Sequence, residues 1–341
     1  MEKNLNQQRT IFDFKNIDKN NLWLLVIVAG VFAFGAFVEP AKFLKANNFQ
    51  SMAYQFPEFG IMSLGMMICM IAGGIDLSIV GVSNLSGIVA ALVITSTKDP
   101  SPGTIVIAIA AALVTGAACG LFNGFLIGFL RIPAMLVTLC GLEVYAGLGL
   151  AITKGPAITG IPDSFQKIGN GLIFDAVPIS LIVFVCITLL IWYIMKYTKF
   201  GQQVFMLGAN PTASKYSGIN NLAVTIKVYI FSSILAAVSG IVICSHYGSA
   251  KSDYGSSYTL LTLLIVILGG VNPNGGNGKI SGVVLAVIIL QIISSTFSIL
   301  RFNSFVKTFV FGLVIIIVMI IQYWSISRAG RQIKGVKIKG E

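Results

Sequence analysis

Residues 104–130 read TIVIAIAAALVTGAACGLFNGFLIGFL, a stretch of 27 residues without one charged side chain. About 20 apolar residues in an α-helix are enough to cross the hydrocarbon core of a bilayer. Nine more apolar runs lie on either side of this stretch, at residues 22–38, 57–72, 79–96, 134–153, 178–197, 222–245, 258–271, 279–300 and 304–324. The pattern predicts an all-α fold, a polytopic transmembrane helical bundle of about ten spans.

The composition of the 341-residue chain also indicates a membrane protein. Hydrophobic residues make up 56% of it and charged residues only 10%, whereas a soluble chain carries about a quarter charged residues. The 36 glycines fit as well, because small residues let membrane helices pack closely. The net charge of +11 comes from basic residues scattered over loops and tails rather than from one basic face. We therefore expect the chain to contact a lipid bilayer and not nucleic acid.

The distribution of Lys and Arg predicts the orientation, because cytoplasmic loops are enriched in both. With the N-terminus inside, the inner segments carry 15 of the 23 basic residues and the outer ones carry 8. Ten spans then place both termini in the cytoplasm. The predicted organisation is a cytoplasmic N-terminal tail at 1–21, a membrane domain at 22–324 with a cytoplasmic loop at 199–221, and a basic cytoplasmic C-terminal tail at 325–341.

Two turns in the sequence resemble each other. Residues 130–133 read LRIP between the fourth and fifth runs, and residues 300–303 read LRFN between the ninth and tenth. Turns five helices apart lie on opposite sides of the membrane, so the echo suggests an inverted repeat, although chance similarity explains it equally well. The second and eighth runs are short and flanked by glycine, which is typical of discontinuous or tilted helices.

The loop at 199–221 contains signals for one short helix. Asn210 can cap its first turn, Pro211 suits the first helical position, and Gly218 can adopt the left-handed conformation that ends it. A helix of about two turns is marginal in water without packing. It either rests on its own membrane domain or docks a cytoplasmic partner.

The stretch GGIDLS at 73–78 lies between the second and third runs. Asp76 or Ser78 can cap the helix that follows by accepting its free N–H groups. A carboxylate at depth in the membrane would instead face the bundle interior or a water-filled cavity. Both interpretations of Asp76 are open.

Further polar residues lie inside the apolar runs, and we expect them to point at other helices or at a pathway through the bundle. They are Asn84, Asn123, Thr138 and Glu143. Glu143 could hold a proton or a sodium ion, pair with Arg131, or form a hydrogen bond between helices.

No catalytic motif is present in the sequence, which has no HExxH, GxSxG or Walker motif. The glycine-rich stretch at 268–278 lacks the GK[ST] ending of a phosphate-binding loop, so we expect a tight turn there. The five cysteines are far apart and His246 is the only histidine, which excludes a multi-histidine metal site. We expect no enzyme activity and no cofactor or metal bound by this chain.

The sequence resembles the permease subunits of bacterial ABC importers for simple sugars, the group that includes the ribose, galactoside, rhamnose and autoinducer-2 permeases. The resemblance covers about residues 57–322 and rests on four blocks in order. They are GGIDLS at 73–78, LFNGFLIGFLRIPAMLVTL at 121–139, TKFGQQVFMLGANPTASKYSGIN at 198–220, and KSDYGSSY at 251–258 with ILGGVNPNGGNGKISG at 267–282. It implies a type II ABC importer fold in the bacterial cell membrane.

The resemblance also implies partners and site residues. Residues 208–218 match the loop whose short helix docks in a groove of a cytoplasmic ABC ATPase, which uses ATP and Mg. The implied coupling-helix residues are Gly208, Asn210, Pro211, Ala213, Ser214, Tyr216, Ser217 and Gly218. The candidate pathway or gate residues are Asp76, Ser78, Asn84, Asn123 and Glu143. A second permease subunit, identical or related, and an extracytoplasmic sugar-binding protein are the other implied partners.

One departure leaves the sugar open. The family often has GGxSxxGGxG where this chain has GGVNPNGGNG, so Asn272 and Pro273 mark a subgroup without an assigned sugar. The alternative function is an ion-coupled secondary transporter or facilitator of a small polar solute, with Glu143 or Asp76 as the ion site. Co-purification with an ATPase would separate the two functions.

Overall fold

The computed structural model describes residues 19–97, 101–174, 176–303, 305–314, 316 and 320. The chain is mostly helical there. The helices are α1 (Lys19–Val38), α2 (Pro40–Phe43), α3 (Ala46–Ile71), α4 (Ile79–Thr95), α5 (Pro102–Gly128), α6 (Ala134–Thr153), α7 (Asp163–Asn170), α8 (Ile179–Tyr197), α9 (Lys199–Ala209), α10 (Pro211–Tyr216), α11 (Asn221–Tyr247), α12 (Tyr258–Leu268), α13 (Ile280–Ile299) and α14 (Phe305–Val314). After α7, β1 (Leu172–Ile173) and β2 (Val177–Pro178) form an antiparallel pair in which Leu172 lies opposite Pro178.

Helices among the described residues overlap all ten apolar runs of the sequence, although α14 covers only residues 305–314 of the tenth run. These helices are α1, α3, α4, α5, α6, α8, α11, α12, α13 and α14. Six helices among the described residues, α1, α5, α6, α8, α11 and α13, are long and apolar enough to cross a membrane by length and composition. The all-α, polytopic membrane fold is confirmed, and the number of ten crossings stays a prediction. Residues 1–18 of the predicted N-terminal tail and all of 325–341 lie outside the described residues.

The second run corrects the sequence-based expectation of a short helix. Helix α3 has 26 residues and begins at Ala46, so Pro57 lies inside the helix and does not start it. Proline lacks the N–H of an interior helical bond, but membrane helices tolerate it where neighbouring groups satisfy the freed carbonyl. Helix α12, in contrast, is short as expected, with 11 residues.

Helices α3 and α11 form the centre of the bundle. Every residue of α3 from Pro57 to Ile71 is buried, and 78% of the most apolar window of α11 is buried. The corresponding share falls to 28% for α5 and α6 and 11% for α1. The outer helices therefore expose apolar side chains to lipid, while the polar residues collect around α3 and α11.

The packing of the helices follows a repeated pattern. Helix α11 packs on α4 and α5, while α3 packs on α12 and α13, and the two central helices pack on each other. The two similar turns also share one conformation, since Arg131 and Arg301 have φ of 57° and 56°. Positive φ is uncommon for residues other than glycine. Both observations support the inverted repeat over chance similarity of the turns.

Two non-helical segments interrupt this bundle. We call residues 72–78, between α3 and α4, the inner linker, and residues 248–257, between α11 and α12, the outer linker. The 11 residues of α12 extend only about 16 Å at 1.5 Å per residue, well short of a bilayer core. Irregular chain must cover the remaining depth, which membrane proteins allow where it is buried in protein or lines a cavity.

Candidate functional site

A cavity of about 360 Å³ opens where α4, α6 and the outer linker meet. Its polar lining residues are Asn84, Glu143, Ser252, Asp253, Ser256 and Thr259. Glu143 is the tenth of the 20 residues of α6, so the cavity lies near the middle of that helix. Two of the predicted pathway residues, Asn84 and Glu143, therefore share one cavity wall.

Asn84 connects α4 to the outer linker. Its side-chain amide donates to the carbonyl oxygens of Ser252 at 2.9 Å and Tyr254 at 2.8 Å. These carbonyls belong to non-helical chain and have no helical partner, so the Asn84 amide satisfies what secondary structure leaves unpaired. Asn84 holds the outer linker in place.

Glu143 is exposed on the outer surface of the chain, where it lines the cavity. The ion pairs of the described residues do not include one between Glu143 and Arg131, so this one of the three alternatives for Glu143 is not found. The reason is position, because Arg131 lies in the turn before α6 while Glu143 lies ten residues into the helix. Its carboxylate lines the cavity instead.

The carboxylate of Asp76, in the inner linker, is fully buried and accepts three hydrogen bonds. Oδ1 accepts from the backbone N–H of Ser78 at 3.1 Å and from its hydroxyl at 2.6 Å, and Oδ2 accepts from the Ser232 hydroxyl at 2.7 Å. The Thr138 hydroxyl donates to the Ile75 carbonyl at 2.9 Å. The inner linker is thus bonded to α11 and α6 within the bundle.

Asn123 extends this network toward α6. Its amide donates to the Ser78 hydroxyl at 2.9 Å, and its Oδ1 accepts from the Tyr145 hydroxyl at 2.8 Å. The structure therefore brings Asp76, Ser78 and Asn123 together. Sequence reasoning missed Tyr145 and Ser232, because single Tyr and Ser residues in apolar runs are common and give no distinct signal.

The predicted capping of α4 is wrong for Ser78. Ser78 stands at the N-cap position, but its side chain makes no capping hydrogen bond, because its hydroxyl donates to Asp76. Asp76 lies too far before the helix to reach its first N–H groups and bonds to the Ser78 N–H in a local turn. Of the two interpretations of Asp76, the buried carboxylate is the one found.

Glu58 of α3 carries a second buried carboxylate. This carboxylate lies between the end of α11 and the start of α12. Its Oε1 is 2.5 Å from Nδ1 of His246, and its Oε2 accepts from the Tyr258 hydroxyl at 3.0 Å. Nearby in the outer linker, the Lys251 ammonium donates to Asp253 at 2.7 Å, which raises the pKa of Lys251. Sequence reasoning missed the Glu58 cluster, because His246 and Tyr258 lie 188 and 200 residues from Glu58 in the chain.

The predicted short helix in the 199–221 loop is α10, with six residues. The Asn210 side chain accepts from the N–H groups of Thr212 and Ala213, both at 3.0 Å, and Gly218 has φ of 81°. Asn221 donates to the Pro211 carbonyl and accepts from the Ser214 hydroxyl.

The surface of α10 is otherwise open. Ser214 is its one buried residue, Ala213 and Ser217 are exposed, and the Tyr216 side chain is 89% exposed. The first half of the predicted loop needs correction, because 199–209 forms helix α9, capped by Thr198 on the N–H of Gly201.

Gly208 joins this region to the bundle. A Cβ at Gly208 would overlap the carbonyl oxygen of Ile71, the last residue of α3, so only glycine fits there. The same carbonyl accepts from the N–H of Gly276 at 2.8 Å. We call Ile71, Gly208 and Gly276 the glycine contact; it ties α9 and α10 to the end of α3, directly before the inner linker.

A bundle of mostly lipid-exposed helices, with non-helical chain and a polar cavity at depth, defines a multi-pass membrane protein of the permease class. Comparison with known proteins identifies the family. The chain belongs to the family described as branched-chain amino acid transport system / permease component, which matches residues 48–319.

Curated relatives agree with the resemblance in the sequence, which is confirmed. The ribose import permease protein RbsC of Bacillus subtilis is 32% identical over 302 residues, or 88% of this chain and 90% of that protein. The autoinducer 2 import system permease protein LsrD of Klebsiella pneumoniae is 30% identical, over 89% of this chain and 91% of its own length. RbsC of Escherichia coli K12 is 30% identical, over 89% and 92%. No solved structure matches the chain significantly.

Proposed function

We propose that this chain is the membrane-spanning subunit of an ATP-driven ABC importer for a simple sugar of the ribose or galactoside type. The names of its relatives, import permeases for ribose and autoinducer 2, support this class. An extracytoplasmic binding protein would deliver the sugar, and a separate cytoplasmic ATPase would use ATP and Mg. The chain itself would bind no cofactor and catalyse no reaction.

The observation that carries the proposal is the glycine contact. Helix α10 offers an exposed surface to a partner. Gly208, near the end of the preceding helix α9, packs directly against Ile71. From Ile71 the chain runs directly into the inner linker, and Asp76 and Ser78 of that linker lie at the start of α4. Movement of α10 by an ATPase would therefore reach α4, which carries Asn84 in the cavity wall, in an alternating-access cycle.

A second permease subunit is proposed from Glu143. A carboxylate at the centre of a membrane helix costs about 2.5–3.5 kcal/mol and avoids lipid by facing protein or a water-filled cavity. Glu143 is exposed in the single chain, beside a cavity that opens at the same face. A second permease covering this face would remove Glu143 from lipid and close the cavity into a pathway between two subunits.

The chemistry of the cavity favours a neutral cargo rich in hydroxyl groups. Its lining holds the carboxylates of Glu143 and Asp253 and the hydroxyls of Ser252 and Ser256. Carboxylates accept hydrogen bonds from sugar hydroxyls and repel an anionic cargo. The pathway would also pass the Asp76, Ser78 and Asn123 network, where a gate is proposed.

The proposed orientation places α10 and both termini in the cytoplasm of a bacterial cell, with the outer linker facing the binding protein. The excess of inner over outer basic residues, 15 against 8, supports this arrangement.

Reconstitution in proteoliposomes tests the proposal, with the ATPase and binding protein supplied and labelled ribose as the first cargo. We expect vanadate-sensitive uptake. Gly208→Val should abolish uptake while the subunit still inserts, and Gly218→Val should do the same by straining the end of α10. Gly30→Val is the matched control, because Gly30 lies in a helix with open space around it. Uptake driven by an ion gradient without ATP would instead establish the secondary transporter.

A further inference from the structure

A second cavity, of about 370 Å³, lies between the end of α8 and the start of α13. The proposed orientation places this end of the bundle in the cytoplasm. Met67, Met195 and Phe205 form its apolar wall, and Lys196, Lys279 and Ser281 its polar one. Met67 and Met195 are buried, whereas Trp192, which also lines the cavity, is 43% exposed on the lipid side of α8. The cavity is therefore apolar inside, basic at its edge and open toward the membrane.

Lys196 is held at this edge by two aromatic rings. Its Nζ lies 5.1 Å from the centroid of the Trp192 ring and 5.2 Å from that of Tyr197. Among the described residues its ammonium forms no ion pair with a carboxylate. Trp and Tyr are enriched where a membrane helix meets the lipid headgroups, so the ammonium is positioned at headgroup level.

The basic residues at this end of the molecule favour an anionic ligand. Arg131, Lys196, Lys199, Lys215, Lys227 and Lys279 lie in its turns and helix ends. Within the part of the chain that the structure describes, the only carboxylate at this end is Asp76, which is buried and bonded to Ser78 and Ser232. The described part of this end therefore attracts anions.

We infer that this cavity binds an anionic phospholipid, with its phosphate between Lys196 and Lys279 and an acyl chain along Met67, Met195 and Phe205. Basic pockets between membrane helices on the cytoplasmic side suit such headgroups. Methionine side chains adapt to an irregular apolar ligand. A soluble phosphate would gain nothing from the apolar wall, which is why we choose the lipid.

The proposed lipid site borders the helix that leads into α10. Phe205 belongs to α9, which carries Gly208 at the glycine contact, so the proposed lipid touches the element that precedes α10. The inference rests on the proposed orientation only in assigning the lipid to the cytoplasmic leaflet of the membrane. Lipid binding itself can be measured without transport.

Native mass spectrometry of the purified full-length chain tests the inference, with phosphatidylglycerol and phosphatidylcholine of matched acyl chains offered together. Wild type should retain phosphatidylglycerol preferentially. Removing one cation near the headgroup is expected to weaken binding about fivefold, so Lys196→Ala should lower the ratio by that factor and Lys196→Arg should preserve it. Adding Lys279→Ala should lower it further.

Lys227→Ala is the matched control, because Lys227 is exposed at the same end but does not line the cavity. It should leave the retained ratio unchanged. An equal loss in Lys227→Ala, or no loss in Lys196→Ala, would overturn the cavity as the site. Competition by inorganic phosphate at millimolar concentration would overturn the lipid in favour of a soluble anion. A melting-temperature rise on adding phosphatidylglycerol, absent in Lys196→Ala, would support the inference independently of mass spectrometry.

Discussion

The inner and outer linkers interrupt the bundle in the same way but are stabilised differently. Each leads from a central helix, α3 or α11, into a shorter one, α4 or α12. The inner linker holds its own carboxylate, Asp76, which is fully buried and accepts three hydrogen bonds. The outer linker has Asp253, whose side chain is 58% exposed and pairs with Lys251, and its buried carboxylate, Glu58, comes from α3.

This difference shows which linker can move on its own. A buried carboxyl group is costly without its hydrogen bonds, so the inner linker should move as one unit with the α3 end and α9. The outer linker borders the cavity and depends on Asn84 for two of its carbonyls. We expect it to change conformation more easily, with the inner linker acting as the rigid connection to α10.

Loss of the Asp76 carboxylate should have the largest effect. In Asp76→Ala, the Ser78 N–H and the hydroxyls of Ser78 and Ser232 lose their acceptor. At about 1–3 kcal/mol for each buried group left unpaired, the variant should lose about 3 kcal/mol or more of stability, measured as the melting temperature in detergent. Asp76→Asn keeps the volume and one acceptor oxygen and should lose less. If Asp76→Ala melts like wild type, packing alone holds the inner linker.

A smaller effect is expected at the bond between α4 and the outer linker. Asn84→Ala leaves the carbonyls of Ser252 and Tyr254 without their donor, which should cost about 2 kcal/mol because the cavity lets water replace part of the loss. Hydrogen exchange should accelerate in 248–257 and stay slow in 72–78. Ser83→Ala is the matched control on α4, because the Ser83 hydroxyl has no partner among the described residues. Equal acceleration in both linkers would remove the distinction between them.

Glu58→Gln should be milder still, at about 1 kcal/mol in the same melting assay. Glutamine keeps an acceptor oxygen for Tyr258, and the His246 side chain, 23% exposed, can bond to water. A stability loss as large as that of Asp76→Ala would mean that the Glu58 cluster is as tightly held as the inner linker.

Much of this architecture was predictable because its signals are local. Apolar runs identified the membrane helices, and the cap at Asn210, the proline at 211 and the glycine at 218 identified α10. Helix α9 was also within reach, since Phe200, Val204 and Leu207 have helical spacing, but glycines at 201 and 208 obscured it. The start of α3 was misplaced because Pro57 resembled a helix start.

The site was less predictable because its bonds join distant parts of the chain. Asn84, Asn123 and Glu143 were identified as polar residues inside apolar runs, and Asp76 and Ser78 from the GGIDLS stretch between two runs. Neither signal gives their partners. Ser232 is 156 residues from Asp76, and Asn84 is 168 residues from Ser252. Only the packing of α3 against α11, with α4, α5 and α12 around them, determines which polar residues meet.

The smallest effect is expected at the exposed edge of the outer linker. The side chains of Lys251 and Asp253 are 39% and 58% exposed, and ion pairs between exposed residues contribute little. Lys251→Ala should therefore leave the melting temperature unchanged at neutral pH, in low and in high salt. Because the bond to Asp253 raises the pKa of Lys251, the contribution of the Lys251 ammonium to the pair is present throughout the neutral range and is lost as pH rises through that raised pKa. A melting-temperature loss equal to that of Asn84→Ala would show that this edge is as well ordered as the cavity wall.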